Sequence, residues 1–245
     1  MIIEQIGFIR TDFPQKFGIP RQSGRVSSLT GRIFFLPEYR SPKAVEGLEN
    51  FSHLWVIWGF NLPFASKKDE IGKWSETVRP PKLGGNKRVG VFATRSPNRP
   101  NPLGLSVVKI VSISADGDDG PVITVSGIDM ADNTPIYDIK PYLPDVDSVS
   151  DAKGGFTDEI PDEKLIVCDP DGCFGSLPDN QKKSLTGILE EDPRPGYIKD
   201  ENREYTLSYS KYEVTFKVSD RTLTVLNITE ADNRSISEKG ADKNA

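Results

Sequence analysis

Histidine and cysteine are almost missing from this chain: its 245 residues include one histidine, His53, and two cysteines, Cys168 and Cys173. Structural zinc usually takes four Cys or His ligands, so no metal site is expected. A metal-dependent hydrolase built on the aspartates is disfavoured for the same reason. The two thiols lie in CDPDGC and are expected to stay free in a reducing compartment. His53 is too isolated for Ser-His or Cys-His catalysis, and within FSHLWVIWGF it reads as a packed, hydrogen-bonded structural histidine. Despite 21 glycines there is no G-x-G-x-x-G and no G-x-x-x-x-G-K-[ST], which argues against a Rossmann cofactor site and a P-loop. H-E-x-x-H and G-x-S-x-G are absent as well. No apolar run approaches the roughly 20 residues that cross a bilayer. The opening MIIEQIGFIRTDF carries an early Glu and no signal-peptide pattern, so it reads as a first strand and the protein is expected in the cytoplasm.

What is present is an ordinary globular composition, 36% hydrophobic and 27% charged, with the charge unevenly spread. The chain is net −5, yet residues 1–150 sum to +2 and residues 151–245 to −7. From Thr77 to Ala115 there are seven basic residues (Arg79, Lys82, Lys87, Arg88, Arg95, Arg99, Lys109) and no Asp or Glu. One basic segment in an acidic protein points to a local site for an anionic partner rather than general nucleic-acid coating.

Short apolar runs broken by Gly, Pro and Asn fill the first 140 residues. Strands are expected at 2–9, 31–36, 53–60, 88–94, 105–114, 121–128 and 135–140, with one short helix at Pro42–Leu48. This lacks a βαβ rhythm and implies a mainly β fold, an N-terminal barrel or sandwich spanning 1–145. Residues 146–165 read as an acidic linker. Residues 166–229 read as a small α+β domain, with a helix at Leu177–Glu190 and strands at Thr206–Tyr209, Tyr212–Val218 and Thr222–Ile228. The tail, 230–245, has too little apolar content to fold and is expected to be disordered.

The chemistry gathers in loops of the first domain. RVGVFATRSPNRPNPLG (88–104) carries Arg95, Arg99 and Asn101 among Pro97, Pro100 and Pro102. Each proline fixes its own φ and restrains the preceding residue, so guanidinium groups sit on a stiff loop and lose little entropy on capturing an anion. FGIPRQSG (17–24) places Arg21 and Gln22 after Pro20. GIDMADNTPIYDIKPYLP (127–144) adds Asp129 and Asp132, which are either Asx-turn caps or a catalytic base.

Together PRQSG, FSHLW, TVRPPKLGGN, RVGVFATRSPNRPNPLG, DMADNTPIYDIKPYLP and DPRPGY closely resemble the TrmO (TsaA-like, formerly YaeB) family of tRNA methyltransferases, from about Ile3 to Ile228. The resemblance implies a homodimeric, S-adenosylmethionine-dependent enzyme with a β-barrel catalytic domain. Its substrate would be N6 of N6-threonylcarbamoyladenosine beside the anticodon of threonine tRNA. It also implies a cofactor pocket made by Pro20, Arg21, Gln22, Asn61, Leu62, Arg95, Leu105, Ser126, Gly127, Ile128 and Asp129. Asn61–Leu62 departs from the His-Gln pair of some members, so backbone contacts are expected there. Asp129 or Asp132, or the substrate's own carboxylate, could act as base, with Arg99 at the reacting centre. Arg79, Lys82, Lys87 and Arg88 are expected on RNA phosphates, with neither DNA nor a membrane as partner. The competing reading is a non-catalytic RNA-binding β-barrel using the same basic loop.

Overall fold

The computed structural model describes residues 2–60, 74–83, 87–114, 117–159, 163–194 and 200–231. In chain order the strands begin with β1 (Gly7–Thr11), β2 (Thr30–Phe35) and β3 (His53–Gly59). A two-residue ribbon, β4 (Thr77–Val78) with β5 (Val89–Gly90), follows, then β6 (Leu103–Ser114), β7 (Val122–Ser126) and β8 (Thr134–Pro141). Six of these close a barrel in the order β1-β2-β7-β6-β3-β8, with β8 returning to β1. Alternation builds it: Gly31, Ile33 and Phe35 of β2 point inward while their neighbours face out, the period-2 pattern of a half-buried strand. Ile9, Ile33, Leu54, Val56, Val108, Ile123, Val125 and Ile136 are all 1% exposed or less and fill the interior. Each such side chain contributes about 1.5–3 kcal/mol of burial.

Two irregularities shape the barrel. The β6–β7 register shifts between Ile110 and Ser112, which leaves Val111 bulged and exposed. The β3–β8 register shifts between Ile57 and Trp58, and the Tyr137 ring settles over Gly59, where a Cβ would lie 2.7 Å from it.

After the short α1 (Pro144–Asp147) come β9 (Ile166–Cys168), α2 (Asp179–Glu190), β10 (Tyr205–Tyr209), β11 (Tyr212–Ser219) and β12 (Thr222–Glu230). They form a four-stranded sheet ordered β10-β11-β12-β9, with β9 parallel to β12. Tyr212, Val214, Phe216 and Val218 bury the face against α2, whose Leu185, Ile188 and Leu189 complete this part of the core.

The two halves are joined by the segment between β1 and β2. Its Phe13 ring meets Tyr209 edge-on at 5.6 Å, and Phe17 stacks on Tyr205 at 6.5 Å. The Ser210 amide donates to the Asp12 carbonyl at 2.7 Å, and the Ser184 hydroxyl to the Ser28 carbonyl at 3.1 Å. Gly187 admits the segment closely, since a Cβ there would lie 2.6 Å from Val26. The PRQSG stretch is therefore held from both sides.

Several expectations need correction. Residues 88–94 are not a strand: only Val89–Gly90 pairs, and Val91–Ala93 turns as a 3-10 helix because the Thr94 amide and hydroxyl both bond back to the Val91 carbonyl. The helix expected at Pro42–Leu48 is two 3-10 turns, Pro42–Val45 and Leu48–Asn50, interrupted at Gly47 with φ +87°. The first strand starts at Gly7, with Ile2 and Ile3 exposed. β9 was not expected; it is three residues long, too short for a periodic signal. Most of the expected disordered tail, 232–245, lies outside the described residues.

Candidate active site

The β7–β8 connection begins at Gly127, whose φ of +76° turns the chain at the barrel rim. The Gly127 amide donates to the Leu29 carbonyl, and its own carbonyl accepts from the Gly24 amide, both at 2.8 Å. A Cβ on Gly127 would lie 3.3 Å from the Gly24 Cα, so the bare Gly127 lets the 20–24 loop and the 126–129 turn touch backbone to backbone. Ile128 anchors this turn in the core at 1% exposure, and Asp129 follows it.

Asp129 is the most perturbed acid of the site. Its carboxylate accepts from the Ser106 hydroxyl at 2.6 Å, and the Trp58 indole N–H donates to that hydroxyl at 3.0 Å. Burial pushes the Asp129 carboxyl up to about 6, against the lowering influence of Ser106, the backbone amides of Ser23 and Asp129 itself, and the Arg95 charge. The Trp58 ring is fixed in turn by Gly104, where a Cβ would come within 2.1 Å of it. Trp58 and Ser106 were not expected at the site. In FSHLWVIWGF and LGLSVV the signal was a polar donor at an inward strand position, which the period-2 pattern of β6 supplies for Ser106.

Arg95 enters from the proline-rich loop and donates to the Gln22 side-chain oxygen. Arg21 donates to the Arg194 carbonyl at 3.1 Å, reaching the stretch after α2. Arg194 is itself forked onto Asp192 at 2.8 and 2.9 Å. Arg25 pairs with Glu191 at 2.7 Å. The proline-rich loop carries its own local bonds: Arg99 N–H to the Pro97 carbonyl at 2.7 Å, Leu103 N–H to the Asn101 carbonyl at 2.8 Å, and the Arg99 guanidinium to the Thr94 carbonyl at 3.1 Å.

The structure thus brings together Gln22, Arg95, Ser126–Asp129 and, through Ser23 and Gly24, the Pro20–Arg21 stretch. Leu105 lies beside Ser106 but faces outward and is 54% exposed. Asp132 is drawn to other partners: Arg10 at 3.0 Å, the Thr11 amide at 2.9 Å and the Asn133 side chain at 3.0 Å, which staple β1 to the start of β8. Asn61 and Leu62 lie outside the described residues, as does the Lys82 side chain. Arg79, Lys87 and Arg88 are exposed on or beside the β4–β5 ribbon, where Arg88 donates to the Thr77 hydroxyl at 2.8 Å. His53 bonds Ser52 at 2.8 Å and meets Tyr142 edge-on, and Cys168 and Cys173 are unpaired. Among the described residues no group of three or more His, Cys, Asp or Glu could hold a metal, and no helix is long and apolar enough to cross a membrane. A separate cleft of about 500 Å³ lies between Ser27–Ser28 and α2, with Lys182 and Lys183 on its wall; Asp129 and Arg95 do not line it.

The donor set fits S-adenosylmethionine. It offers fixed cationic donors for a carboxylate, a carboxylate for a cationic group, and a glycine-lined backbone cradle at one rim.

Two family models cover most of the chain. The tRNA-methyltransferase O N-terminal domain matches residues 8–148, and the TrmO C-terminal domain matches residues 176–231. A tRNA (adenine(37)-N6)-methyltransferase of Escherichia coli (strain K12) is 37% identical over 225 residues, 89% of this chain and 93% of that protein. A protein of Methanothermobacter thermautotrophicus named as a probable S-adenosyl-L-methionine-binding protein is 37% identical over 147 residues, 60% of this chain and 93% of its own length. The crystal structure of TrmO from Pseudomonas aeruginosa, 29% identical, superposes with a TM-score of 0.71 over 94% of this chain and 98% of that one. The chain belongs to the TrmO family.

Proposed function

We propose that this chain is an S-adenosylmethionine-dependent tRNA methyltransferase. Its acceptor is N6 of N6-threonylcarbamoyladenosine beside the anticodon of threonine tRNA. The carrying observation is the convergence of a half-buried carboxylate, Asp129, with Arg95 and Gln22 at one barrel rim in a TrmO-family chain.

Bound S-adenosylmethionine supplies a methyl group already activated on sulfur, so alignment is the protein's main task; orientation of this kind contributes about 7–11 kcal/mol in well-ordered systems. Pro20–Gln22, Arg95 and the Ser126–Asp129 turn would hold it, joined by Asn61–Leu62 and the Leu105 backbone. The acceptor nitrogen is a weak nucleophile because its lone pair is shared with the carbamoyl group and the purine. Asp129 accepts its proton as the N–C bond forms. Ser106 and Trp58 orient that carboxylate, while Asp132 serves the β1–β8 junction. Arg99 meets negative charge on the substrate, the threonyl carboxylate or a phosphate. Arg79, Lys82, Lys87 and Arg88 engage RNA phosphates. The protein works as a homodimer in the cytoplasm, where its tRNA is found.

Titration calorimetry with S-adenosylmethionine, followed by nucleoside mass spectrometry of threonine tRNA incubated with protein and cofactor, tests this reading. A new methylated threonylcarbamoyladenosine supports it. Tight tRNA binding with no methyl transfer would instead make the protein a non-catalytic RNA-binding barrel.

A further inference from the structure

Large aromatic side chains seldom stand in solvent as a pair without a reason. Trp74 is 43% exposed and Phe92 is 70% exposed, and their rings lie 5.7 Å apart, tilted by 32°. They meet where the β4–β5 ribbon joins the proline-rich loop. β5 leads directly into the 3-10 turn that presents Phe92, and the Val91 amide ties that turn to the Glu76 carbonyl at 2.9 Å. The Ser75 amide donates to the Asn98 carbonyl at 3.3 Å, so Trp74 is held against the same loop. The Arg99 guanidinium carbon lies 6.0 Å from the Phe92 ring centroid. Arg95 lies three residues after Phe92. An aromatic pair, a guanidinium plane and a stiff support are the parts from which proteins build stacking sites for unpaired bases.

We propose that Trp74 and Phe92, with Arg99, form a stacking platform for an unpaired nucleobase of the RNA, flanking the nucleotide that reaches Asp129. The proposal rests on the tRNA reading above and adds to it a recognition site beside the catalytic rim, with Arg99 common to both. Charge selects this occupant over a second copy of the chain. Glu76 stands beside Trp74, but no acidic residue follows it from Thr77 to Ala115, and Arg88, Arg95 and Arg99 all belong to that basic run. Two copies meeting isologously on the pair would set these cations against one another, whereas RNA brings phosphates beside its bases.

Stacking releases few counterions, so it separates cleanly from phosphate binding. The experiment measures affinity of Phe92→Ala, Trp74→Ala, Phe92→Tyr and Trp74→Phe for threonine tRNA at several salt concentrations. It also measures cofactor affinity by calorimetry and mass by light scattering. Alanine at either position is expected to weaken tRNA binding about 5- to 150-fold, the range for loss of one stacked base. The salt slope and cofactor affinity should not change, and the aromatic replacements should restore binding. Unchanged tRNA affinity with methyl transfer intact overturns the platform and leaves the methyltransferase reading standing. A fall in mass on alanine substitution also overturns it, because the pair is then a subunit contact. A parent protein that binds no tRNA overturns both readings together.

Discussion

The Ser106 hydroxyl reaches the Asp129 carboxylate at 2.6 Å while receiving the Trp58 indole N–H at 3.0 Å, so a residue of β3 orients an acid beyond β7 through a residue of β6. The relay places the acid at the barrel rim with its proton affinity raised, and it leaves Ser106, at 1% exposure, both donating and accepting. If Asp129 is the base, kcat/KM should fall as pH drops through about 6, the value to which burial raises its carboxyl. Asp129→Asn should lower the methylation rate by about 10²–10⁴-fold and abolish that limb of the profile. A rate within a few-fold of the parent would move the base to the substrate's own carboxylate.

The same shift makes a stability prediction of definite sign. The folded-state value, about 6, lies above the ordinary aspartate value of 3.8, so the folded protein binds this proton more tightly than the unfolded chain. The stabilisation is complete below the unfolded value and is lost as pH rises through about 6. A shift of this size corresponds to about 3 kcal/mol of burial cost in the ionised form at neutral pH. Asp129→Asn removes the ionisation, so it should unfold at higher denaturant than the parent at pH 7.5, with the advantage closing towards pH 4. Equal midpoints at pH 7.5 would mean that the carboxylate is better solvated than the geometry implies.

Gly104 supplies a packing test. An added Cβ would fall 2.1 Å from the Trp58 ring, so Gly104→Ala must displace the indole from Ser106. Overpacking of this kind costs about 1–3 kcal/mol. The expected result is a lower denaturation midpoint with altered Trp fluorescence, and a weaker methylation rate than the stability loss alone explains.

Much of this was legible in the sequence, and its limits are physical. Alternation in Tyr212–Val218 marks β11 because one face is buried and the other wet. The same logic failed at 88–94, where the apolar residues serve a turn: Val91 is buried and Phe92 stands exposed. The PRQSG and ATRSPNRPNPLG stretches announced their polar residues. Asp129 and Asp132 looked equivalent in DMADN, and only the fold separates them, since Arg10 and Thr11 arrive at Asp132 from a strand more than 120 residues earlier in the chain. The Trp58–Ser106 link depends on the β3–β6 register, in which Val56 faces Ser106 and Trp58 faces Gly104, and no local pattern encodes a register.

If the Pro20–Gly24 loop holds the cofactor, Glu191 offers a way to separate positioning of that loop from folding. Its carboxylate holds Arg25 at 2.7 Å and is 12% exposed, on the turn that also offers the Arg194 carbonyl to Arg21. Lys164 also reaches this carboxylate at 3.5 Å, so removing Glu191 takes away an anion that two cations share. Glu191→Ala should therefore weaken S-adenosylmethionine binding several-fold while β10–β12 stay folded by circular dichroism. Arg25→Ala together with Glu191→Ala should lose less than the sum of the single losses. Additive losses would show that the pair does not support the loop.

Lys87 and Arg95 distinguish RNA steering from catalysis. Lys87 is exposed just before β5, whereas Arg95 reaches Gln22 and lowers the proton affinity of Asp129. A phosphate contact releases counterions, so Lys87→Ala should weaken tRNA binding and reduce the salt dependence by about one unit of slope. Its single-turnover rate at saturating tRNA should match the parent. Arg95→Ala should leave the salt slope nearly unchanged and lower the saturated rate by about 10²–10³-fold, because fixed charge matters most where charge develops in the transition state. Measuring affinity across salt concentrations alongside single-turnover rates checks both variants. If saturating tRNA restores full rate to Arg95→Ala, the stiff loop is an RNA handle, and the catalytic centre must be drawn around Asp129 and Ser106 without it.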